Sequence, residues 1–478
     1  MDALVRELQR AVGSRYVLSR PQELLVYEYD GAVERALPGV VAVPGTAAQA
    51  AQVVAIARRH GLPVVPRGAG TGLSGGAIPI HGGVLMPMTR LNRVLEIDPL
   101  ERMAIVEPGV VNIDISKAAE PYGLRYAPDP SSQKACTIGG NVAENAGGPH
   151  CLAYGVTTNH VMGMEIVLAD GTLAWVGGRN HELPGYDLRG VLIGSEGTLA
   201  VTTKVAVRLQ PVPEAVTTIL AIFQDEDDAS AAVTAIVGAG IVPAAIEMMD
   251  RLTIQAVEPA IHAGYPADAG AVLLVEVEGL REPVAEESEE VQQVCYRHGA
   301  TEVRVADDPT LRERLWAGRK TALGALGRLA PNYYLLDGVV PRTKILEALR
   351  RIREISGEYA LPIANVFHAG DGNLHPCILF DERMPGQTQR SREAGGAVLR
   401  TCIDLGGALS GEHGVGLEKQ EYMELSFSEA DMDAMARLNP AFGAGDTFNP
   451  GKVFPTGASC VELLQHPAIA RLGVDAFV

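Results

Sequence analysis

Apolar positions in the first part of the chain fall in short runs that are separated by glycine-rich stretches. Runs such as VVAVP and LPVVP predict strands, and Thr46 can cap a helix from Ala47 to His60. VMGMEIVLADG predicts a strand that ends in a hairpin turn at Asp170-Gly171, and GTLAVTTKVAVRLQP (197–211) supplies two more strands. Because helices are few among these strands, the pattern predicts an α+β fold rather than a doubly wound sheet.

Residues 214 to about 310 alternate between strand-like and helix-like segments. The strand-like segments are TTILAIF, VPAAIEMM, AVLLVEVEG and TEVRVA. The helix-like segments are DEDDASAAVTAIV, residues 250–258 and an acidic stretch that ends near 298. This order, with one helix inserted, resembles a ferredoxin-like sheet. Further helices are predicted at 310–328 and 341–357, and the C-terminal part alternates helix and loop.

Size and composition narrow the class of protein. At 478 residues and 50.5 kDa the chain is long enough for two or three lobes. The net charge of −18 argues against binding to nucleic acid. No run of 18 apolar residues predicts a transmembrane span. The six cysteines, Cys460 among them, form no CxxC pair, which predicts reduced cytoplasmic thiols and no iron–sulfur or zinc–thiolate site.

A glycine run, PRGAGTGLSGG (66–76), contains a GxGxxG pattern at Gly70, Gly72 and Gly75. A dinucleotide-binding fingerprint would need a helix directly after the run, but AIPIHGG follows, and Pro79 prevents a helix from starting there. Consecutive glycine N–H groups can instead form a nest that binds an anion. The alternative is a purely structural turn. We expect the anion site, because a turn rarely needs so many glycines.

Two further loops have the same character. The long loop 128–150 contains CTIGGNVAENAGG, in which Asn141 and Asn145 offer amide groups to the edge of a heterocycle. GSEGTLA (194–200) is the third loop. Each of them could be a simple turn. Three such loops in one lobe, with almost no charged residues, indicate a large and partly flat ligand that lies across the loop tips.

Together, in this order, the three loops resemble the FAD-binding domain of the vanillyl-alcohol oxidase / p-cresol methylhydroxylase flavoproteins. The resemblance implies that the first loop wraps the FAD pyrophosphate, and that the second lines the pyrophosphate and the isoalloxazine ring. It implies non-covalent FAD, because Thr71 and Leu73 stand where many members carry a histidine that bonds to the flavin. The implied cofactor-binding residues are Arg67, Gly68, Gly70, Thr71, Gly72, Ser74, Gly75, Pro128, Asp129, Ser132, Gly139, Gly140, Asn141, Asn145, Gly147, Gly148, Glu196, Gly197, Val201 and Asn449.

FHAGDGNLHP (367–376) holds two histidines at a spacing of seven. On a straight strand His368 and His375 would face opposite sides. If Asp371-Gly372 forms a type I′ hairpin turn, the two histidines lie directly opposite on one face, with Cβ atoms roughly 4.5–5.5 Å apart. Both imidazoles could then reach one metal ion. The alternative is two unrelated buried histidines.

A third candidate ligand stands in GALSGEHGVG (407–416). Glu412 would complete a His-His-Glu set with an open position for substrate, and His413 would be free to act as a base. These residue types suit zinc, manganese, iron or cobalt, and spacing does not choose among them.

VFHAGDGNLHPCILFD, SGEHGVGLEK, HCLAYGV, YYLLDGVVPR and FNPGK resemble the FAD-linked 2-hydroxy-acid dehydrogenases, in particular the flavin subunit of glycolate oxidase. The resemblance implies that His368, His375 and Glu412 bind a divalent metal, with zinc expected first and manganese or iron as alternatives. It also implies that His413 is the catalytic base and that Arg319, in LWAGRK, holds the substrate carboxylate. A guanidinium suits that role because it stays charged and binds carboxylates through two donors.

The implied activity is oxidation of a small 2-hydroxy acid to the 2-oxo acid, with hydride transfer to flavin N5. Relatives that act on 2-hydroxyglutarate carry a lysine and an asparagine where this chain has Leu335 and Cys377. Glycolate or D-lactate is therefore favoured. An alternative is a D-lactate or other D-2-hydroxyacid dehydrogenase that works without sister subunits, and a non-enzymatic one is a flavin-bearing relay or docking subunit.

The partners implied are an electron acceptor, which would be an iron–sulfur subunit, a quinone or another protein, and a related flavin subunit. The expected location is the cytoplasm, or the membrane periphery through partner subunits. The implied fold is a two-subdomain FAD-binding domain of the vanillyl-alcohol oxidase type (37–213) and a ferredoxin-like α+β substrate domain with the metal site (214–420). A helical segment (1–36) precedes them, and a C-terminal segment (421–478) returns to the FAD domain.

Overall fold

The computed structural model describes residues 2–179, 184–306 and 308–455, and these form two compact units. Unit 1 contains the described parts of 1–147, 156–212 and 412–478, and unit 2 contains 148–155 and 213–411. The N-terminal segment therefore belongs to unit 1, and the boundary falls after Gly411 rather than after residue 420. Cys460 and the end of the predicted C-terminal segment lie outside the described residues.

The first sheet of unit 1 has four strands in the order β1-β2-β4-β3, and β2, β4 and β3 are parallel. Thr46 caps the helix that connects β2 to β3, because its hydroxyl accepts a hydrogen bond from Gln49 N at 3.1 Å, as predicted. Val53 and Val84 pack in the core between this helix and the sheet. The elements are α1 (Asp2–Val12), β1 (Val17–Leu18), α2 (Pro21–Leu24), β2 (Val40–Ala42), α3 (Ala47–Arg59), β3 (Val64–Arg67) and β4 (Val84–Pro87).

The second sheet of unit 1 has five antiparallel strands in the order β5-β6-β10-β8-β9. The predicted hairpin at Asp170-Gly171 joins β8 to β9, and Asp170 Oδ1 accepts from Thr172 N at 2.8 Å. The strands are β5 (Val94–Asp98), β6 (Met103–Val106), β8 (Val161–Val167), β9 (Leu173–Gly177) and β10 (Val201–Arg208), with β7 (Leu124–Arg125) and β11 (Gln210–Pro211) forming a separate pair. The helices are α4 (Asn112–Ala119), α5 (Ile138–Glu144), α7 (Thr157–His160), α8 (Leu188–Leu192), α16 (Met423–Ser426), α17 (Glu429–Ala436) and α18 (Leu438–Ala441).

The interpretation of 128–150 as one long loop is wrong. Helix α5 occupies its middle, in spite of two glycines. Thr137 caps the helix by accepting a hydrogen bond from Gly140 N at 3.4 Å, and Asn145 ends it in the left-handed conformation at φ 53°. A good cap at each end therefore outweighs the poor helix propensity of glycine.

The ferredoxin-like order predicted for unit 2 is present, with strands β15-β12-β14-β13 antiparallel to one another. The sheet continues through β18, β19 and β17, and β20 pairs with β16 and β18. The strands are β12 (Ala215–Phe223), β13 (Ala245–Asp250), β14 (Ala271–Gly279), β15 (Glu302–Ala306), β16 (Asn332–Leu335), β17 (Gly338–Val339), β18 (Ile363–His368), β19 (Asn373–Leu374) and β20 (Pro376–Phe380).

Helices pack on this sheet, beginning with α9, whose first turn carries the predicted acidic residues. The helices of unit 2 are α6 (Cys151–Tyr154), α9 (Glu226–Gly238), α10 (Arg251–Ile261), α11 (Arg281–Arg297), α12 (Pro309–Lys320), α13 (Ala322–Leu326), α14 (Ile345–Tyr359) and α15 (Gln387–Asp404). Among the described helices, none is both long enough and apolar enough to cross a membrane.

Two glycines near the first sheet test how closely the backbone is packed. Gly61 and Gly83 both have left-handed φ values, of 64° and 77°. A Cβ on Gly61 would meet nothing within 4 Å, whereas one on Gly83 would overlap the Pro63 carbonyl oxygen and lie 2.7 Å from its Cγ. We expect Gly61→Ala to lower the free energy of unfolding by about 1–2 kcal/mol through backbone strain alone. Gly83→Ala should lower it by roughly 2–5 kcal/mol, because overpacking adds to the strain. Urea unfolding of both variants measures the difference, and equal losses would contradict the packing of β4.

Candidate active site

The glycine run leaves β3 at Arg67 and reaches β4 without forming a helix, as predicted. Gly70 and Gly75 take positive φ values of 72° and 81°. A Cβ on Gly70 would overlap the Arg67 guanidinium, and the positive φ at this position favours glycine.

Arg67 is the charge that this loop offers to an anion. Its side chain is buried, and within the described chain Nη1 has no hydrogen-bond partner. Burial lowers the pKa of this guanidinium, and the nearby Asp30 carboxylate opposes the shift. A buried cation with an unsatisfied donor beside a glycine loop fits a pyrophosphate group.

The two asparagines of the second loop bind the protein's own groups. Asn141 is buried, and its Oδ1 accepts from Asn112 Nδ2 at 2.9 Å. Asn145 Oδ1 accepts from Thr158 N at 2.9 Å. Both side chains therefore use their carbonyl oxygens to hold the loop in shape.

The third loop joins the first through Glu196 and Asn449. The Glu196 carboxylate accepts from Val415 N at 2.7 Å and from Gly416 N at 2.8 Å. Asn449 Nδ2 donates to Gly76 O and to Glu196 O, both at 2.8 Å. These three predicted cofactor-binding elements are thus connected to one another inside unit 1.

Backbone conformation singles out the same positions. Asn145, Glu196 and Asn449 have positive φ values of 53°, 53° and 38°, which are unusual for residues with side chains. Ser74, in the first loop, donates from its hydroxyl to His413 O at 2.9 Å. The backbone of the predicted base is therefore anchored to the glycine run.

A buried group of charges lies under these loops, and the sequence analysis missed it. Burial, followed by the charge of Glu196, raises the pKa of Glu144 well above its usual range. Burial lowers the pKa of Lys452 to about 8, and its Nζ donates to Ile78 O at 2.6 Å. Lys419 Nζ donates to Gly414 O at 2.9 Å. Both lysines stand close to glycines in motifs quoted above, SGEHGVGLEK and FNPGK. This placement was the available sequence signal that they are buried.

The remaining predicted cofactor residues lie along the same three loops. Pro128, Asp129 and Ser132 precede α5, and Pro128 O accepts from Asn112 Nδ2 at 3.1 Å. The others are Gly68, Thr71 and Gly72 in the glycine run, Gly139 and Gly140 in α5, Gly147 and Gly148 after it, Gly197 at φ 68°, and Val201 at the start of β10.

In unit 2, the predicted hairpin around Asp371-Gly372 exists, but its register is shifted. His368 pairs with Asn373 rather than with His375, and Asn365 pairs with Pro376. A type I′ turn needs positive φ at both central residues, and of the pair only Gly372 has it, at 80°. Gly372 N instead donates to His368 O at 3.2 Å across a four-residue loop.

The two histidines still share one face of the hairpin. A shift of two residues preserves the face on which a side chain lies, so His368 and His375 become diagonal neighbours. Their ring centroids are 5.0 Å apart with an interplanar angle of 80°, and both side chains are buried. The prediction of one shared face is confirmed, and that of direct opposition is wrong.

Two buried carboxylates that the sequence analysis did not assign contact this pair. Glu247, on β13, lies with Oε1 2.7 Å from His368 Nδ1 and with Oε2 2.5 Å from Arg319 Nε. Asp337 Oδ1 lies 3.6 Å from His375 Nε2. The available signal for Glu247 was a single acidic residue inside an otherwise apolar strand, in VPAAIEMM.

Arg319, at the end of α12, is buried beside this carboxylate. Arg319 Nη2 also lies 2.5 Å from Glu247 Oε2, as an ion-pair contact without hydrogen-bond geometry. The predicted substrate-binding cation and the first predicted metal ligand therefore share one carboxylate within unit 2.

Glu412 and His413 follow directly on the last residue of unit 2. Gly411 N donates to Asp337 O and to Asp337 Oδ2, both at 3.1 Å, and Ser410 Oγ donates to Asp337 Oδ2 at 2.6 Å. Because consecutive Cα atoms across a trans peptide bond are about 3.8 Å apart, the Glu412 Cα lies at that distance from the Gly411 Cα.

Leu335 and Cys377 are directly opposite each other in the β16–β20 pair, and both are buried. Burial raises the pKa of the Cys377 thiol, so this position carries no charge at neutral pH. The pair offers no cationic donor.

Comparison with known proteins shows the family to which the chain belongs. The family model for the FAD binding domain matches residues 38–177, and that for FAD linked oxidases, C-terminal domain, matches 212–453. The chain is 45% identical to glycolate oxidase subunit GlcD of Escherichia coli K12 over 96% of its own length and 92% of the relative's. It is 32% identical to D-lactate dehydrogenase of Anaerostipes hadrus, over 88% and 90%.

A solved structure of p-cresol methylhydroxylase with substrate bound superposes with a TM-score of 0.81, at 18% identity, over 96% of this chain and 97% of that one. This likeness confirms the predicted α+β fold of the vanillyl-alcohol oxidase type. The two family matches confirm the expectation of FAD as cofactor. The chain belongs to the family of FAD-linked oxidases.

Proposed function

We propose that this protein oxidises a small 2-hydroxy acid, glycolate or D-lactate, to the 2-oxo acid with FAD as the acceptor. The observation that carries the proposal is the buried cluster of Arg319, His368 and His375 in unit 2, which offers a cation and two adjacent imidazoles. The similarity to proteins named as a glycolate oxidase subunit and a D-lactate dehydrogenase supports this class of substrate.

FAD would be held without a covalent bond. The glycine run and the buried Arg67 suit its pyrophosphate, while Thr71 and Leu73 stand where a histidine would bond to the flavin. When bound, FAD supplies the acceptor for the hydride, at N5. The hydrogen bonds made by Ser74, Glu196 and Asn449 hold the first and third loops in fixed positions.

His368, His375 and Glu412 would hold a divalent ion, with zinc as the first choice and manganese or iron as alternatives. The donor set fits, because two imidazoles and a carboxylate are typical ligands of catalytic metal sites. The imidazoles lie on one buried face, and Glu412 is tethered next to Gly411. Such an ion would lower the pKa of a coordinated hydroxyl group.

Each remaining residue then has a distinct task. Arg319 would bind the substrate carboxylate, and a guanidinium can do so with two parallel hydrogen bonds. His413 would take the hydroxyl proton, because the pKa of an imidazole lies near neutrality. Leu335 and Cys377 leave no partner for a second carboxylate, so a monocarboxylate fits best.

The electrons would leave through an iron–sulfur subunit, a quinone or another protein, since the relative from E. coli is itself named as a subunit. A related flavin subunit would be a further partner, and the location would be the cytoplasm or the membrane periphery through such partners. The similarity to a D-lactate dehydrogenase favours, as a second candidate, a dehydrogenase that acts without sister subunits.

Anaerobic mixing with a panel of 2-hydroxy acids tests the proposed substrate class. We expect glycolate or one enantiomer of lactate to bleach the flavin absorbance, and 2-hydroxyglutarate to do so far more slowly, because Leu335 and Cys377 are uncharged and buried. Stopped-flow absorbance measures the rates. If no 2-hydroxy acid reduces bound flavin, the non-enzymatic relay or docking role replaces the proposal.

Substitution of His413 tests the proposed base. We expect His413→Asn to slow flavin reduction by about 10²–10⁴-fold, since positioned general bases contribute that much. Flavin content should be unchanged, because Ser74 bonds to the backbone oxygen of residue 413 rather than to its side chain. His298→Asn, at the end of α11, is the matched control and should react at the wild-type rate. A fast His413→Asn variant would rule out this role.

Metal removal tests the proposed ion. Dialysis against a chelator should stop turnover while the flavin spectrum persists, because the metal and FAD have separate ligands. Restoration by zinc, manganese or iron, with metal analysis of the protein, identifies the ion. Full activity in metal-free protein would show that His368 and His375 have another task.

A further inference from the structure

We propose that Glu247 is a positioning residue that orients both Arg319 and His368, so that one carboxylate sets the substrate-binding cation and a metal ligand together. This inference rests on the function proposed above. Glu247 lies outside the motifs that carry the family resemblance, and strand pairing brings it next to His368.

Strand pairing places Glu247 next to His368. Glu247 lies on β13, and its direct partner across the β13–β18 pair is His368. Directly opposite residues in an antiparallel pair hold their Cβ atoms roughly 4.5–5.5 Å apart. All six residues of β13 are buried, so Glu247 has no access to water and must be satisfied by protein groups or by a ligand.

The carboxylate divides its two oxygens between two partners. Oε1 lies 2.7 Å from His368 Nδ1, and Oε2 lies 2.5 Å from Arg319 Nε. The partners come from different elements, β18 and α12. One rigid side chain therefore sets the distance between the imidazole and the guanidinium.

The bond to His368 selects the tautomer of this imidazole. An ionised carboxylate only accepts hydrogen bonds, so Nδ1 must carry the proton. In the neutral imidazole Nε2 then carries the lone pair, and it is the nitrogen that the proposed metal would use. A histidine ligand held in this way by a carboxylate has a fixed ring orientation and a raised basicity.

The bond to Arg319 orients the guanidinium. Within the described chain, its hydrogen bond goes from Nε to Glu247. The Nε edge of the fork is therefore occupied, and the edge bearing Nη1 is left for a substrate carboxylate. Arg319 keeps one orientation, because only 5% of its side chain is exposed.

Glu276 provides a comparison on the same face of the same sheet. It pairs with Ala245, two residues before Glu247, and it is also buried. Its partners are Trp316 Nε1 at 2.6 Å, Thr218 Oγ1 at 2.7 Å and His150 Nε2 at 3.1 Å. None of these is a predicted site residue, so Glu276→Gln carries a similar structural cost without a positioning role.

Metal affinity separates positioning from stability. In Glu247→Gln the amide NH₂ must face either the Arg319 Nε–H or His368 Nδ1. If the NH₂ faces Arg319, two hydrogen-bond donors oppose each other. If it faces His368 Nδ1, that nitrogen must accept, so the histidine proton moves to Nε2, where the metal would bind. Titration of metal-stripped, FAD-loaded protein with Zn²⁺ against a chromophoric chelator should show about 10–100-fold weaker binding in Glu247→Gln. Glu276→Gln should bind Zn²⁺ as the wild type does.

Kinetics at saturating metal test the second partner. Excess Zn²⁺ should restore most of kcat in Glu247→Gln, while KM for the 2-hydroxy acid stays raised by about 10-fold through the loosened Arg319. If the role of Glu247 is purely structural, the substitution should lower the melting temperature, and KM should not stay raised when excess Zn²⁺ restores kcat.

A measurement on the wild-type protein covers the case in which Glu247→Gln does not fold. NMR of ¹⁵N-histidine-labelled, metal-free protein, with His368 assigned by its substitution, should show a protonated Nδ1 and an unprotonated Nε2. An unprotonated Nδ1 would overturn the inference, whatever the state of Nε2.

The outcomes for the two proposals are distinguishable. If the wild type binds no metal ion, the proposed metal site is wrong, and the tautomer of His368 still decides the role of Glu247. If the wild type binds Zn²⁺ and a folded Glu247→Gln variant binds it equally well, Glu247 is not a positioning residue.

Discussion

The charged cluster of unit 2 depends on the buried ion pair between Glu247 and Arg319. Both side chains are buried, so each needs the other, and removal of one partner from such a pair typically costs about 3–5 kcal/mol. The same carboxylate also bonds to His368. A cation that suits a carboxylate substrate and an imidazole that suits a metal are therefore held by one group, which no single motif contains.

In unit 1, hydrogen bonds between side chains and backbone groups hold the loops in position. Its glycine run, its third loop and the segment after His413 have little regular structure of their own, so hydrogen bonds between them must replace a ladder. Glu196 accepts from two backbone N–H groups, and Asn449 donates to two carbonyl oxygens. Because these braces use side chains that point into the protein, the loop tips remain available to a large flat cofactor.

Much of this arrangement could be predicted from sequence, and its limits have physical causes. The face shared by His368 and His375 was predictable, because strands have a period of two and a shift of two residues keeps the face. The register was not, because it depends on the φ values of Asp371 and Gly372. Helix α5 was missed because the residues that stabilise it, Thr137 and Asn145, cap its ends, and the helix propensity of the residues between them does not include capping. Glu247 was missed because its partner lies 121 residues away.

The boundary between the units divides the motif GALSGEHGVG and gives its centre a particular constraint. Gly411 is bound to Asp337 in unit 2, and Val415 and Gly416 are bound to Glu196 in unit 1. The stretch from Glu412 to Gly414 is therefore flanked on both sides by residues whose backbone N–H groups donate to buried carboxylates. Since both sets of hydrogen bonds act on backbone N–H groups, the side chains of residues 412 and 413 are not needed as supports of this stretch.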